Sequence, residues 1–140
     1  MSNVKMKVKE FLASVNKAAV ATCNNNAPSC RIMEVQKVED NLTLWFVTHK
    51  NSPKVCHIQK GSEVCIVAHK EHAHMDIRLT GKCEVFTDME TKKSLWNKKL
   101  APFFKNGIDD PDMAVLKFTP KKVEYRDITT GSLNPETEIL

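Results

Sequence analysis

LTLWFVTHKNSPK, residues 42–54, decides how the rest of the chain is read. Leu42, Leu44 and Phe46 alternate with Thr43, Trp45 and Val47, so both faces of an extended segment are largely apolar. A strand with one wet face would carry a polar residue at every second position. The segment therefore reads as a buried strand that ends at Thr48 and passes directly into a polar turn. Thr48, Ser52 and Lys54 then place two hydroxyls and an ammonium within seven residues, while Asn51 and Pro53 bend the backbone. Such a turn gathers donors around a phosphate, with the strand as an apolar wall beside it. The same residues also suit a hairpin or strand-to-helix turn whose polar groups face water, and this stretch alone does not choose.

The flanking sequence continues the β pattern. Upstream, Val4, Val8, Phe11, Leu12 and Val15 fall at helical spacing and predict a first helix lying on a barrel. KAAVATC at 17–23 reads as a strand, the three asparagines at 24–26 as a turn, and 29–38 as a second strand. Downstream, Pro53 opens a short helix that Gly61 stops, and 63–69 form another strand. Residues 75–86 form a long strand in which Gly81 permits a bulge. One helix is expected over 89–104, and a last strand over 113–127 interrupted at Pro120. The tail beyond Ile128 has no periodic pattern. The domain assignment is a single domain over 1–128 and an arm or flexible tail over 129–140. Six strands with short turns and two or three helices predict a mainly β protein, an antiparallel Greek-key barrel with flanking helices.

Bulk properties narrow the function. A 140-residue chain with 41% hydrophobic and 27% charged residues builds a core without disulfides. No apolar run approaches the ~20 residues that span a bilayer, and charges occupy the N-terminal stretch where a secretion signal needs apolar residues. A cytoplasmic location, with no membrane partner, is expected. Net charge is +4 with scattered lysines and only 6% aromatics, which speaks against nucleic-acid binding but suits small anions. Five cysteines without a C-x-x-C pair argue against a disulfide framework or structural zinc, and most are expected to be buried. Four glycines form neither G-x-G-x-x-G nor a Walker loop.

Two positions extend the anion reading. Arg31 lies among Cys30, Ile32 and Met33, and on a strand beside the Thr48–Lys54 turn its planar fork would complement the Lys54 point charge around a dianion. His69, His72 and His74 form H-x-x-H-x-H, read as a polar hairpin or, alternatively, a metal or haem site; no metal is assigned.

The chain resembles the pyridoxamine 5'-phosphate oxidase-like FMN-binding split-barrel family, and within it the general stress protein branch. The resemblance rests on Ala21-Thr22 and Pro28 before Arg31, Trp45-Phe46-Val47-Thr48 with Ser52 and Lys54, and Leu79-Thr80-Gly81-Lys82. It continues through Asp88, Trp96, Phe104, Gly107, Asp109-Asp110-Pro111, Leu116, Pro120 and Tyr125. It implies a six-stranded split barrel and a homodimer with FMN in clefts at the subunit interface. It implies further that Arg31, Ser52 and Lys54 hold the phosphate, that Ile32, Met33, Val47 and Thr48 line the ring, and that Trp96 sits near it. Phe103 and Phe104 are read as helix core, His49 and His57 as surface positions, and Asp109-Asp110-Pro111 as a capped turn. The two-sided strand at 44–47 is a separate reason to expect a covering partner. Three asparagines replace the family's first-hairpin glycine, and Lys105-Asn106 follow Phe104 where a proline is usual. The tail after Tyr125 lacks the arginine-and-histidine pattern that true pyridoxamine phosphate oxidases use on substrate, which argues against pyridoxal phosphate synthesis. The expected function is an FMN-dependent oxidoreductase with unknown catalytic residues and substrate. The alternatives are a flavin- or haem-binding stress or sensor protein without turnover, and a small nucleic-acid-binding barrel.

Overall fold

The computed structural model describes residues 2–70, 74–131 and 133–140. Helix α1 (Asn3–Ser14) starts at Ser2, whose hydroxyl accepts from the Lys5 amide. Strands β1 (Lys17–Asn24), β2 (Ala27–Glu34), β3 (Lys37–Val38) and β4 (Leu44–His49) follow, then helix α2 (Pro53–Gln59). Next come β5 (Val64–Lys70), β6 (Met75–Phe86), helix α3 (Met89–Leu95), a 3₁₀ helix at Lys98–Phe103, β7 (Met113–Asp127) and β8 (Glu136–Ile139). No helix among the described residues is long and apolar enough to cross a membrane.

The strands form one antiparallel sheet in the order β2-β1-β5-β6-β7-β4-β3, with β8 added beside β7. The count is eight rather than six, for two reasons. The expected second strand divides: β2 ends at Glu34, and β3 pairs with β4 at the opposite end of the sheet. The tail also supplies β8 against residues 122–125, and Lys7 of α1 pairs with Glu136 at its start, 2.7 Å apart. No ladder joins β2 to β3 among the described residues, so the sheet is not closed. Yet only Val35 and Gln36 lie between these terminal strands, which holds their ends within about 11 Å at 3.8 Å per residue. The Val35 amide bonds to Asn16 O beside β1, and the Gln36 amide to Trp45 O on β4. The sheet must therefore curl until its two ends face each other.

Curling gives each face of β4 its own cover. Leu44 and Phe46 enter the main core with Phe11, Leu12, Val20, Ile66, Leu79 and Phe118. Trp45 and Val47 point the other way, into a second cluster with Leu95, Leu100, Phe104, Met113 and Val115. The two-sided apolar pattern matches the structure, and the second face is partly covered within the chain, with Trp45 and Val47 half-buried. The expected helix over 89–104 is also interrupted. It stops at Leu95; Trp96 turns extended, and Asn97 caps the 3₁₀ helix by accepting from the Lys99 amide. Asn97 competes for backbone bonds and Pro102 brings no amide, so one continuous α-helix is not maintained.

Pro120 does not interrupt β7. It stands opposite Gly81 where the β6–β7 register shifts, a bulge that tolerates the missing amide. A Cβ on Gly81 would lie 2.1 Å from Thr119 O and 2.8 Å from Pro120 Cα, both backbone atoms that cannot step aside. Gly81→Ala is therefore expected to destabilise the fold by about 3 kcal/mol, read as a fall in the denaturation midpoint in urea. A variant within experimental error of the parent would show that the strands do not meet so closely there.

Candidate functional site

Where the two ends of the sheet face each other, a cleft of about 300 Å³ opens between β2, β4, the start of α2 and the 3₁₀ helix. Arg31, Ile32 and Met33 line it from β2, Val47 and Thr48 from β4, and Lys54 from α2. Six of the eight residues expected from the sequence thus meet in one place. Ser52 and Trp96 stand outside the lining. Trp96 packs edge-on against Phe104, itself a lining residue, with centroids 6.4 Å apart.

Strand parity aims Arg31. On β2, Ser29, Arg31 and Met33 are less exposed than their neighbours, and Arg31 lies opposite Val20 of β1. Its Nη1 donates to Thr22 Oγ1 at 2.8 Å and to Val20 O at 3.3 Å. Lys54 Nζ donates to Thr48 Oγ1 at 2.9 Å. All these acceptors are neutral, and neither cation forms an ion pair among the described residues. Burial pushes the Lys54 ammonium below its ordinary pKa of 10.5, and the Arg31 guanidinium beside it adds to the depression. The side chain of Ser52, the residue preceding α2, makes no capping bond to the helix, and its buried Oγ has no hydrogen-bond partner among the described residues. Two cations lining one cleft with no ion pair among the described residues, together with an unpartnered buried hydroxyl two residues before Lys54, suit a phosphate dianion.

The remaining walls are aromatic and polar. Phe103 is 65% exposed and lines the cleft, so it is not the core residue expected; the helix break turns it outward. Phe104 is buried as expected, and the His49 ring packs on it with centroids 4.8 Å apart. Glu34 also lines the cleft, where its carboxylate accepts from Asn16 Nδ2 at 3.1 Å. His57 is no surface residue: it is 8% exposed, with Nδ1 2.8 Å from Thr22 Oγ1. Thr22 was missed as a support for Arg31. A signal existed, since alternation in KAAVATC puts this one polar side chain on the face of Ala18 and Val20.

Other expectations fall elsewhere. Asp110 accepts from the Asn106 and Asp112 amides, which makes it the capped turn expected. His69 and His74 border a separate depression with Asp76 and Arg126, and His72 lies outside the described residues. Cys23, Cys30 and Cys56 are exposed rather than buried; only Cys83 is deeply desolvated, its thiol pushed up to about 12.

Comparison with known proteins agrees with this architecture. The family model described as pyridoxamine 5'-phosphate oxidase like matches residues 3–140. No curated protein matches the chain. Among solved structures, a Clostridium acetobutylicum protein related to general stress protein 26, of the pyridoxinephosphate oxidase family, superposes with a TM-score of 0.84. It is 24% identical, over 97% of this chain and 94% of that one. General stress protein 26 from Bacillus anthracis gives 0.82 at 22% identity, over 99% and 100% of the two chains. A pyridoxamine 5'-phosphate oxidase-related, FMN binding protein from Nostoc punctiforme gives 0.75 at 15% identity, over 98% and 89%. These likenesses establish a shared split-barrel fold.

The lowered pKa of Lys54 has a measurable sign. A lysine is charged below its pKa, so Lys54 loses its charge at a pH below 10.5. A phosphate monoester is already a dianion above pH ~8. Stabilisation by added phosphate, followed as a rise in thermal midpoint, should fade between pH 8 and 10.5, and Lys54→Arg should extend it to higher pH. A stabilisation that stays level through 10.5 would contradict the placement of Lys54.

Proposed function

Because the chain belongs to the pyridoxamine 5'-phosphate oxidase-like family, we propose that it is a cytoplasmic FMN-binding oxidoreductase that works as a homodimer on a small substrate. The observation that carries the reading is the convergence of Arg31 and Lys54 on one cleft with neither in an ion pair among the described residues, close to the unpartnered Ser52 hydroxyl. The residues fit the group. Arg31, Lys54 and Ser52 would take the phosphate, while Met33, Val47 and Thr48, with the Phe103 and Phe104 rings, would border the flavin. When bound, FMN supplies the redox chemistry, and the chain's part is to hold, orient and desolvate the ring.

The cleft's size supports the dimer. About 300 Å³ is at the lower bound for ligand clefts, which run to ~1,000 Å³. Beside it the outer sheet surface is apolar: Ile32 and Val67 flank Ala19 in register, and Cys30 and Cys65 flank Ala21. Ile32 is 68% exposed and belongs both to this surface and to the cleft lining. A second copy seated on the surface would therefore wall the cleft and bury the ring. Ile32→Lys with Val67→Lys is expected to give monomers in sedimentation and weaker flavin uptake; an unchanged dimer would place the interface elsewhere.

One observation favours a second reading, flavin binding without turnover. In the cleft the Glu34 carboxylate is hydrogen-bonded to Asn16 and the His49 ring packs against Phe104, so neither stands free as an acid or base paired with the other. Anaerobic addition of reduced nicotinamide separates the two readings, since bleaching of the flavin band requires electron transfer. For binding itself, removal of two charge-assisted contacts at ~1.5–3 kcal/mol each corresponds to ~10²–10⁴ in affinity. Arg31→Ala with Lys54→Ala should weaken FMN by that factor and leave riboflavin, which has no phosphate, nearly unchanged. Equal affinities of variant and parent for FMN would overturn the phosphate assignment.

A further inference from the structure

Beneath the two cations lies a polar chain that does not line the cleft. Thr22 is 2% exposed on β1, and its Oγ1 sits 2.8 Å from Arg31 Nη1 and 2.8 Å from His57 Nδ1. Arginine has no acceptor, so the threonine must accept from it. The hydroxyl proton is then free to go to His57 Nδ1, which leaves a neutral imidazole with its proton on Nε2. In the opposite assignment His57 donates as well, and the buried hydroxyl proton loses this acceptor. The first arrangement therefore satisfies more of the buried groups.

The chain spans the site's whole foundation. Arg31 belongs to β2, Thr22 to β1 and His57 to α2, three residues after Lys54 and so on the same side of that helix. Arg31 and Lys54 are like charges lining one cleft, and their repulsion adds to the lowering of the Lys54 pKa that burial chiefly causes. A long guanidinium arm held only by its own rotamer preference would swing away from a like charge.

We infer that Thr22 and His57 are positioning residues for anion recognition: the Arg31–Thr22–His57 chain holds the guanidinium facing Lys54 before a phosphate arrives. The inference rests on reading the cleft as a phosphate site. Neither residue touches the ligand; both act through Arg31, and the preorganised pair is what distinguishes a phosphorylated ligand from its dephosphorylated form.

The test is the ratio of FMN to riboflavin affinity, measured by quenching of flavin fluorescence in the full chain. Thr22→Val keeps the side-chain shape and removes the hydroxyl. It is expected to lower the ratio about tenfold, a typical loss for one hydrogen bond to a charged group. Thr22→Ser should restore the ratio. His57→Leu should lower it in the same direction, and His57→Asn, whose Oδ1 can take the place of Nδ1, should recover part of it. In an Arg31→Ala background, Thr22→Val should add nothing further.

A loss shared equally by FMN and riboflavin would mark Thr22 as merely structural and overturn the inference. So would a loss that persists without Arg31, or a ratio that Thr22→Val leaves unchanged. If Thr22→Val does not fold, the His57→Leu and His57→Asn pair reads the same quantity. A parent protein that binds FMN no better than riboflavin would instead overturn the phosphate-site reading, and this inference with it.

Discussion

Two residues, Val35 and Gln36, tie one terminal strand of the sheet to the other, and the remaining architecture follows from that short tether. A flat twisted sheet would set β2 and β3 far apart across the intervening strands at ~4.8 Å each. The tether forbids this. The backbone bonds from Val35 to Asn16 and from Gln36 to Trp45 fasten the crossing at both ends. The sheet curls around Phe11, Phe46, Ile66 and Phe118 instead, and a seam remains where β2 and β4 face each other without pairing. Donors and side chains that a closed barrel would spend on itself are therefore available to a ligand.

The seam is electrostatically incomplete. Arg31 and Lys54 share a partly buried site in which every acceptor they bond to is neutral, and burial already works against the Lys54 charge. Such an arrangement costs stability in a protein that holds no anion there, and a bound dianion would offset the cost. Elsewhere cations are handled differently: Arg78 forks onto Glu124, and Arg126 meets Asp76. Carboxylates were thus available to the fold, yet the one that lines the cleft, Glu34, is hydrogen-bonded to Asn16 and pairs with neither cation among the described residues. The unpartnered Ser52 hydroxyl points the same way.

Much of this was legible one segment at a time. The alternation in 44–48 announced a strand with two apolar faces, and the structure buries one against α1 and the curled sheet, the other under Leu95, Leu100 and Phe104. Gly81 announced its bulge. Misreadings arose where a local signal met a distant one. Residues 29–38 alternate as one strand, yet Gln36 bonds to Trp45 and the strand divides. Residues 89–104 have a helical apolar side, yet Asn97 captures the Lys99 amide and the helix stops. The tail has no pattern because β8 is a short, largely exposed edge strand whose order comes from β7 and from Lys7 of α1.

The sequence by itself determined most of the element types, the polar turn after β4 and the presence of two basic residues suited to a phosphate. These follow from periods of two and 3.6 residues and from turn chemistry, all of which act between near neighbours. Arg31 and Lys54, 23 positions apart, were expected together and line one cleft, but only the tertiary structure decided that Thr22 and His57 stand behind them and that Phe103 faces outward. Those relations depend on strand order and on how far the sheet curls, and such long-range pairings have no periodic signature along a single chain.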